Sequence, residues 1–407
     1  MRIAVWHNLP SGGGKRALYD YVRGLVERGH EVESWCLSTA DQSYLNLNQI
    51  IKEHVIPLSW PSKKWSGLSG FLKNYLTAID KIEAIKLQCQ KCAEEINRGG
   101  FDLLFAHPCM FYAAPFIGRY VSVPKVLYLQ EPHRRLYEAL PRLPWIALEP
   151  SNQAAWSLNQ SRRFLWDLSE VQALRVQARE ELHNAQAFDL ILVNSYFSRE
   201  SLLRAYNLDS EVCYLGVDLN RFQNQHQPRE NFVIGVGSFT PAKNIKFVIE
   251  SLAQVERSRP ALVWIGNFVD PNYLEELQQL AKRLQVNFTP KIRISDQELI
   301  DLLNRALLTI YTPRLEPFGY GSIEANACGL PVVSIAEGGL RETVIDGFNG
   351  LIAENNPRAI AASVQKLVDN PDYASQLGQN GYQYVSEHWT VEAAVDRLEK
   401  KLIKLLP

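Results

Sequence analysis

Glu316-Pro-Phe-Gly-Tyr-Gly-Ser-Ile-Glu324 lies between two apolar runs, Leu307-Leu-Thr-Ile-Tyr-Thr-Pro313 before it and Ala325-Asn-Ala-Cys-Gly-Leu-Pro-Val-Val333 after it. The order reads as strand, tight loop, helix and, past Gly329-Leu-Pro331, a second strand. Glu316 then belongs to the loop and Glu324 lies about one turn into the helix. Between them, the backbone N–H groups of Gly319 to Ser322 open a helix N-terminus. Those groups lack partners inside the helix, and the helix dipole adds about half a positive charge there, so the turn suits an anion. Two acids flanking such a turn suit a ligand that carries phosphates and hydroxyls together, such as a nucleotide sugar.

The pattern around this stretch repeats along the chain. Apolar runs at 3–5, 32–37, 103–106, 126–129, 190–193 and 212–215 alternate with helical patterns. So do runs at 232–236, 261–265, 286–288, 307–311 and 332–335. Continuous apolar strands separated by helices predict parallel sheets covered on both faces, and two series predict two doubly wound α/β domains. The chain has 407 residues, which at roughly 150 residues per domain also predicts two or three domains. The polar stretch Asn220-Arg-Phe-Gln-Asn-Gln-His-Gln-Pro228 reads as a linker. The expected domains are 1–219 and 229–385, with helices at 357–368 and 372–387. A last helix at 391–406, within a C-terminal segment 386–407, is expected to pack back across the junction.

Bulk composition narrows the function. Hydrophobic content of 46% and charged content of 21% are ordinary for a globular protein, and a formal net charge of −1 recruits no nucleic acid. Met1-Arg-Ile-Ala-Val-Trp-His7 reads as a first strand rather than a signal peptide, which predicts a cytoplasmic protein and disfavours a periplasmic-type two-domain receptor. Six scattered cysteines read as reduced thiols. Cys89-Gln-Lys-Cys92 lacks a second ligand pair, so two thiols on a helix face are expected and no metal. Two segments break the alternation: Trp60-Pro-Ser-Lys-Lys-Trp65 with a helical pattern at 68–96, and 140–187 with Trp145, Trp156, Trp166, Arg162 and Arg163. They read as helices packed on the sheet, as the lining of a pocket, or as a surface for a membrane interface, here the inner membrane face.

The first strand ends in His7-Asn-Leu-Pro-Ser-Gly-Gly-Gly14, a turn rich enough in glycine for close approach of a ligand, though it is not GxGxxG. At this point the chain resembles the retaining nucleotide-sugar glycosyltransferases of family four, with the GT-B fold of two facing Rossmann-like domains and a catalytic cleft between them. The resemblance spans nearly the whole length. It is strongest in E-x7-E with Ala-Cys-Gly-Leu-Pro-Val-Val, Gly338-Gly-Leu-Arg-Glu342 and Asp346-Gly-Phe-Asn-Gly350. Asn194-Ser-Tyr-Phe-Ser198, Gly216-Val-Asp218 to Phe222 and Gly235-Val-Gly-Ser-Phe-Thr-Pro-Ala-Lys-Asn244 match as well.

The resemblance implies an acceptor-side first domain and a nucleotide-sugar-binding second one. It implies ribose contacts for Glu324, donor-sugar contacts for Glu316 and for the N–H groups of Phe318 and Gly319, and diphosphate contacts for those of Gly321 and Ser322, with Tyr320 in the same turn. Lys243 would neutralise the leaving diphosphate. His107, at a strand end, would contact the donor sugar, unless it caps a loop. Gly13 and Gly14 would admit acceptor and phosphate. The family's usual Arg is Ser238 here, so half of its cationic clamp is missing, with Arg293 and Arg314 as candidate replacements. Glu131 and His133 in Gln130-Glu-Pro-His133 are acceptor candidates, and Gly338, Gly339 and Gly347 read as turn glycines. No Asp-x-Asp metal motif occurs near a strand end, so no obligatory cofactor is expected. The implied reaction moves a sugar from a UDP- or GDP-linked donor to the hydroxyl of a glycan, lipid-linked or small-molecule acceptor. Competing readings are a nucleotide-sugar-binding pseudoenzyme, motivated by Ser238, and another GT-B activity such as an epimerase or a phosphorylase. Donor, acceptor and oligomeric state are not legible at this stage.

Overall fold

The computed structural model describes residues 1–60, 72–139, 142–147 and 158–406. Within these, the chain forms two compact units. One contains 1–193, 199–213 and 395–407, and the other contains 194–198 and 214–394.

The strands of the first unit are β1 (Arg2–Asn8), β2 (Glu31–Leu37), β3 (Lys52–Ile56), β4 (Leu103–Cys109), β5 (Lys125–Tyr128), β6 (Leu190–Val193) and β7 (Glu211–Val212). Its helices are α1 (Gly13–Glu27), α2 (Lys73–Arg98), α3 (Arg134–Tyr137) and α4 (Leu158–Ala185), and α5 (Tyr196–Tyr206) follows β6. The sheet is parallel in the order β3-β2-β1-β4-β5-β6-β7. Its central strands are buried on both faces, which is why they read as unbroken apolar runs. One face packs Trp6, Trp35, Leu104 and Leu127 against Ile82, Ile85, Cys89 and Ile96 of α2. Cys89 and Cys92 are free, buried thiols on that helix, as expected, and burial raises both thiol pKa values. The unexpected strand is β3: Lys-Glu-His-Val-Ile carries too many polar residues for an apolar run because it is an edge strand.

The second unit contains β8 (Phe232–Val236), β9 (Ala261–Gly266), β10 (Phe288–Ile292), β11 (Leu308–Tyr311), β12 (Val332–Ile335) and β13 (Gly350–Ala353). Its helices are α6 (Ile245–Leu252), α7 (Pro271–Arg283), α8 (Asp296–Arg305), α9 (Tyr320–Ala327), α10 (Leu340–Thr343), α11 (Pro357–Asp369) and α12 (Pro371–His388). α13 (Val391–Leu405) closes the chain. The parallel order is β10-β9-β8-β11-β12-β13. β10 begins two residues after the apolar run at 286, because the Val286 amide is spent on the Ala281 carbonyl at the end of α7. β13 is a second edge strand, too short and glycine-led to stand out in sequence. The stretch 220–228 is tied to this unit: the Gln225 amide donates to Asn304 Oδ1 at 2.7 Å. Next to it, Arg229 donates to the carbonyls of Leu303, Asn304, Ala306, Cys328 and Gly329.

Of the residues that break the alternation, 61–71 and 148–157, including Trp65 and Trp156, lie outside the described residues. Trp60 packs edge-on against Phe111, whereas Trp145 and Trp166 are exposed.

Candidate functional site

In the second unit the chain order reverses between β8 and β11, which run side by side. The carboxyl ends of strands at such a switch point form a crevice suited to ligands. The loop after β8 carries Lys243, in a short 3₁₀ turn at Pro241–Lys243. The loop after β11 carries Glu316. The two meet: Lys243 Nζ donates to Glu316 Oε2 at 2.8 Å. Tyr311, the last residue of β11, donates its hydroxyl to Glu316 Oε1 at 3.3 Å. Nothing in the sequence singled out Tyr311, because an aromatic at the end of a buried strand reads as core.

The turn from Glu316 into α9 is held in a shape that needs glycine. Gly319 has φ +100°, a conformation side chains rarely adopt. Gly338 has φ +57°, and a Cβ there would strike the Glu316 carbonyl. The next amide, Gly339 N–H, donates to that carbonyl at 2.8 Å. The Gly338-Gly339 pair, expected only to turn the chain, is therefore the backing of the Glu316 loop.

α9 begins at Tyr320 with no side-chain cap on its N-terminus. Neither the Phe318 nor the Gly319 N–H donates to an acceptor among the described residues. Ser322 departs from expectation. Its N–H is taken by the Gly319 carbonyl at 3.1 Å and its hydroxyl lies 2.8 Å from Thr343 Oγ1, so it braces the turn instead of presenting an amide. Gly321 rests on the Tyr311 ring, and Glu324 is buried in α9. The two candidate substitutes for the missing Arg are otherwise engaged. Arg314 Nε binds Glu337 Oε2 at 2.7 Å, and Arg293, at φ +53°, donates to the Asn267 carbonyl at 3.3 Å. Ser238 faces Thr240, Oγ to Oγ1 at 3.0 Å.

In the first unit, β1 and β4 form the equivalent switch. Gly13 and Gly14 open α1, which has no side-chain cap and no acid in its first turn. A Cβ on Gly14 would touch the Gln130 amide at 3.5 Å, so the glycine turn and the loop after β5 meet. His107, in β4, is fully buried and stacked on Tyr128, with ring centroids 5.6 Å apart. Neither ring nitrogen has a hydrogen-bond partner among the described residues, so it caps none of their loops. Burial, then the nearby charges of His7 and Lys15, hold its pKa well below the usual histidine value. Glu131 is paired with Arg134 at 2.6 Å. His133 lies at the start of α3 with its pKa lowered, first by burial and then by Arg135. Among the described residues one group has the makings of a metal site: His7, Cys36 and Glu53, with ligand atoms within 4.8 Å of one another. His7 Nε2 is already bonded to Glu53 Oε1 at 2.8 Å, and Lys15 contributes a positive charge beside them.

Residues 217–384 match the family model described as Glycosyl transferases group 1. The matched residues make up most of the second unit and include every residue the sequence assigned to the nucleotide-sugar turn. Relatives point the same way. The uncharacterized glycosyltransferase MJ1178 of Methanocaldococcus jannaschii is 28% identical over 203 residues, 48% of this chain and 54% of that protein. The alpha-1,3/1,6-mannosyltransferase ALG2 of Homo sapiens is 24% identical, over 54% of this chain and 59% of its own. D-inositol 3-phosphate glycosyltransferase 2 of Catenulispora acidiphila is 29% identical, over 51% and 55%. The chain thus spans little more than half the length of these curated relatives. The fold likeness covers more. Anabaena Alr3699/HepE, solved in complex with UDP and glucose, superposes with a TM-score of 0.71 at 18% identity over 99% of both chains. Sucrose-phosphate synthase from Thermosynechococcus elongatus gives 0.70 at 18% identity over 100% of this chain and 99% of its own. Each unit is a Rossmann-like parallel sheet, and the chain shares its fold with these solved glycosyltransferase structures.

Proposed function

We propose that this protein transfers a sugar from a nucleoside diphosphate sugar, UDP- or GDP-linked, to an acceptor hydroxyl with retention of configuration. The observation that carries this reading is the Lys243–Glu316 pair beside the uncapped start of α9. A fixed cation on one loop, and an acid with the unpartnered Phe318 and Gly319 amides on the next, match two needs of such a donor, phosphate charge and sugar hydroxyls, and the uncapped helix start suits the diphosphate. In the reaction, the bond from the anomeric carbon to the diphosphate oxygen breaks and a bond to the acceptor oxygen forms on the same face. The acceptor proton passes to the leaving diphosphate, whose charge Lys243 stabilises. Glu316, released from Lys243 by the donor, accepts hydrogen bonds from the sugar, and Glu324 from the ribose. His107, neutral because it is buried, is assigned to the sugar near the reacting carbon. The scheme requires no resident metal.

A thermal-shift screen with UDP, GDP and their glucose and mannose conjugates tests the reading. A ligand that binds the native state raises Tm, by about 2.7 kcal/mol of stabilisation at a hundredfold excess over Kd. Slow release of free sugar from the same donor supports a transferase. Tight binding without turnover supports the pseudoenzyme that the lone cation at Lys243, with Ser238 nearby, keeps in view.

The acceptor is proposed to be a glycan or a lipid-linked glycan at a membrane surface. None of the described helices is long and apolar enough to cross a membrane. However, α4 opens with exposed Leu158, Phe164, Leu165, Trp166 and Leu168 beside exposed Arg162 and Arg163, a composition suited to an anionic lipid interface. Failure to sediment with anionic vesicles at low salt removes the membrane from this scheme.

A further inference from the structure

We propose that Ser195, held in place by Ser198 and Glu342, is a positioning residue that aims the sugar-binding amide of Phe318. This rests on the nucleotide-sugar reading above.

The segment 194–198 is far from Glu316 in sequence but belongs to the same compact unit. Asn194, Ser195 and Ser198 are buried. The Ser198 amide donates to Ser195 Oγ at 2.9 Å, and the Ser198 hydroxyl donates to Asn194 Oδ1 at 2.8 Å. The Ser195 hydroxyl donates to the Pro317 carbonyl. Ser198 Oγ lies 3.1 Å from Ser195 Oγ and 3.4 Å from the same carbonyl, so Ser198 backs Ser195 and is the weaker of the two contacts to Pro317. The segment itself is pinned from the far side by the carboxylate of Glu342. That group accepts the Tyr196 amide at 2.9 Å, the Phe197 amide at 3.1 Å and the Tyr214 hydroxyl at 2.8 Å.

Pro317 is the residue between Glu316 and Phe318. The peptide that links Pro317 to Phe318 is planar and trans, so its C=O and N–H point in opposite directions. Fixing the carbonyl toward Ser195 therefore fixes the Phe318 N–H on the opposite side of the same plane. That N–H donates to nothing among the described residues. A carbonyl partly withdrawn from solvent favours a hydrogen-bond donor, so the peptide has one preferred orientation rather than two. The amide is thus aimed before any ligand arrives, without cost at the moment of binding. Glu342 ends the Gly338-Gly-Leu-Arg-Glu342 stretch, whose two glycines back Glu316 from another side, so one loop supports both the acid and the amide.

The test uses the full chain and two ligands, a nucleoside diphosphate and its sugar conjugate: UDP with UDP-glucose, or GDP with GDP-mannose, whichever pair the wild type binds by calorimetry. Ser195→Ala is expected to weaken the sugar conjugate about tenfold, the loss of one aimed hydrogen bond, while the bare nucleotide stays within about twofold. Glu342→Gln keeps the side-chain volume and is expected to shift the same ratio in the same direction by about threefold. It carries the test if Ser195→Ala does not fold. A variant that weakens both ligands equally, or neither, overturns the positioning role. Binding of neither nucleotide by folded wild type overturns the functional reading itself, a result distinct from a failed ratio.

Discussion

Lys243 and Glu316 are 73 residues apart and bonded to each other at 2.8 Å. Each was expected to serve the same donor, one through its charge and one through hydrogen bonds. Without a donor, each satisfies the other. This arrangement spares a cation and an acid from facing the crevice unpaired, and under the proposed mechanism donor phosphate would compete with Glu316 for the ammonium.

Lys243→Ala should therefore abolish transfer, with kcat/KM falling by about a hundredfold or more, because the variant lacks the ammonium assigned to the leaving group. Arg314 is held by Glu337 and cannot replace it without breaking that pair. Unchanged kcat/KM in Lys243→Ala would remove the clamp from the mechanism. Ser238→Arg should be tolerated or raise kcat/KM, since it adds a cation where the side chain now pairs with Thr240.

Glu324→Gln should weaken nucleoside diphosphate binding about tenfold while leaving the melting temperature close to that of the wild type. The amide keeps the shape of the buried carboxylate but loses the charge that strengthens a ribose hydrogen bond. Titration of the variant with UDP and GDP by calorimetry checks this, and equal affinity for variant and wild type would reassign Glu324 to structure.

Asn349 anchors the loop after α10. Its amide donates to Asn326 Oδ1 at 2.9 Å and to the Thr343 carbonyl at 3.0 Å, and its Oδ1 accepts the Ile345 amide at 2.7 Å. Asn349→Ala leaves several buried polar groups without partners, which costs about 1–3 kcal/mol or more. Urea unfolding should show a lower midpoint with an unchanged slope.

Glu181 gives a pH signature to the first unit. It is buried, accepting from Gln177 at 2.8 Å and from Tyr206 at 3.0 Å, and burial pushes its pKa up to about 7. The folded protein holds this proton where the unfolded chain has released it, so stability falls as pH rises from near the unfolded carboxyl value of 4.5 through about 7. Glu181→Gln should remove that slope. Melting temperatures of variant and wild type should diverge between pH 5 and pH 8, in favour of the variant at the higher pH. Parallel curves would show that the carboxyl ionises without penalty.

The sequence by itself determined the architecture and singled out the turn between Glu316 and Glu324. Unbroken apolar runs between amphipathic helices admit only sheets covered on both faces, and glycine between two acids after such a run marks a ligand turn at a strand's carboxyl end. Local pattern carries that much because it reports burial and backbone freedom. It carried less at the edges, where β3 and β13 are half-exposed or short and so lack an apolar signature. Only the tertiary structure decided what surrounds the turn. Tyr311 reaching Glu316, Ser195 reaching Pro317 and Asn349 reaching Asn326 are contacts whose chemistry depends on which strand lies beside which, and single serines, tyrosines and asparagines look alike in sequence until a partner is brought to them. For the same reason the structure, and not the motif, shows the Ser322 amide and hydroxyl engaged within the turn, with Gly319 and Thr343.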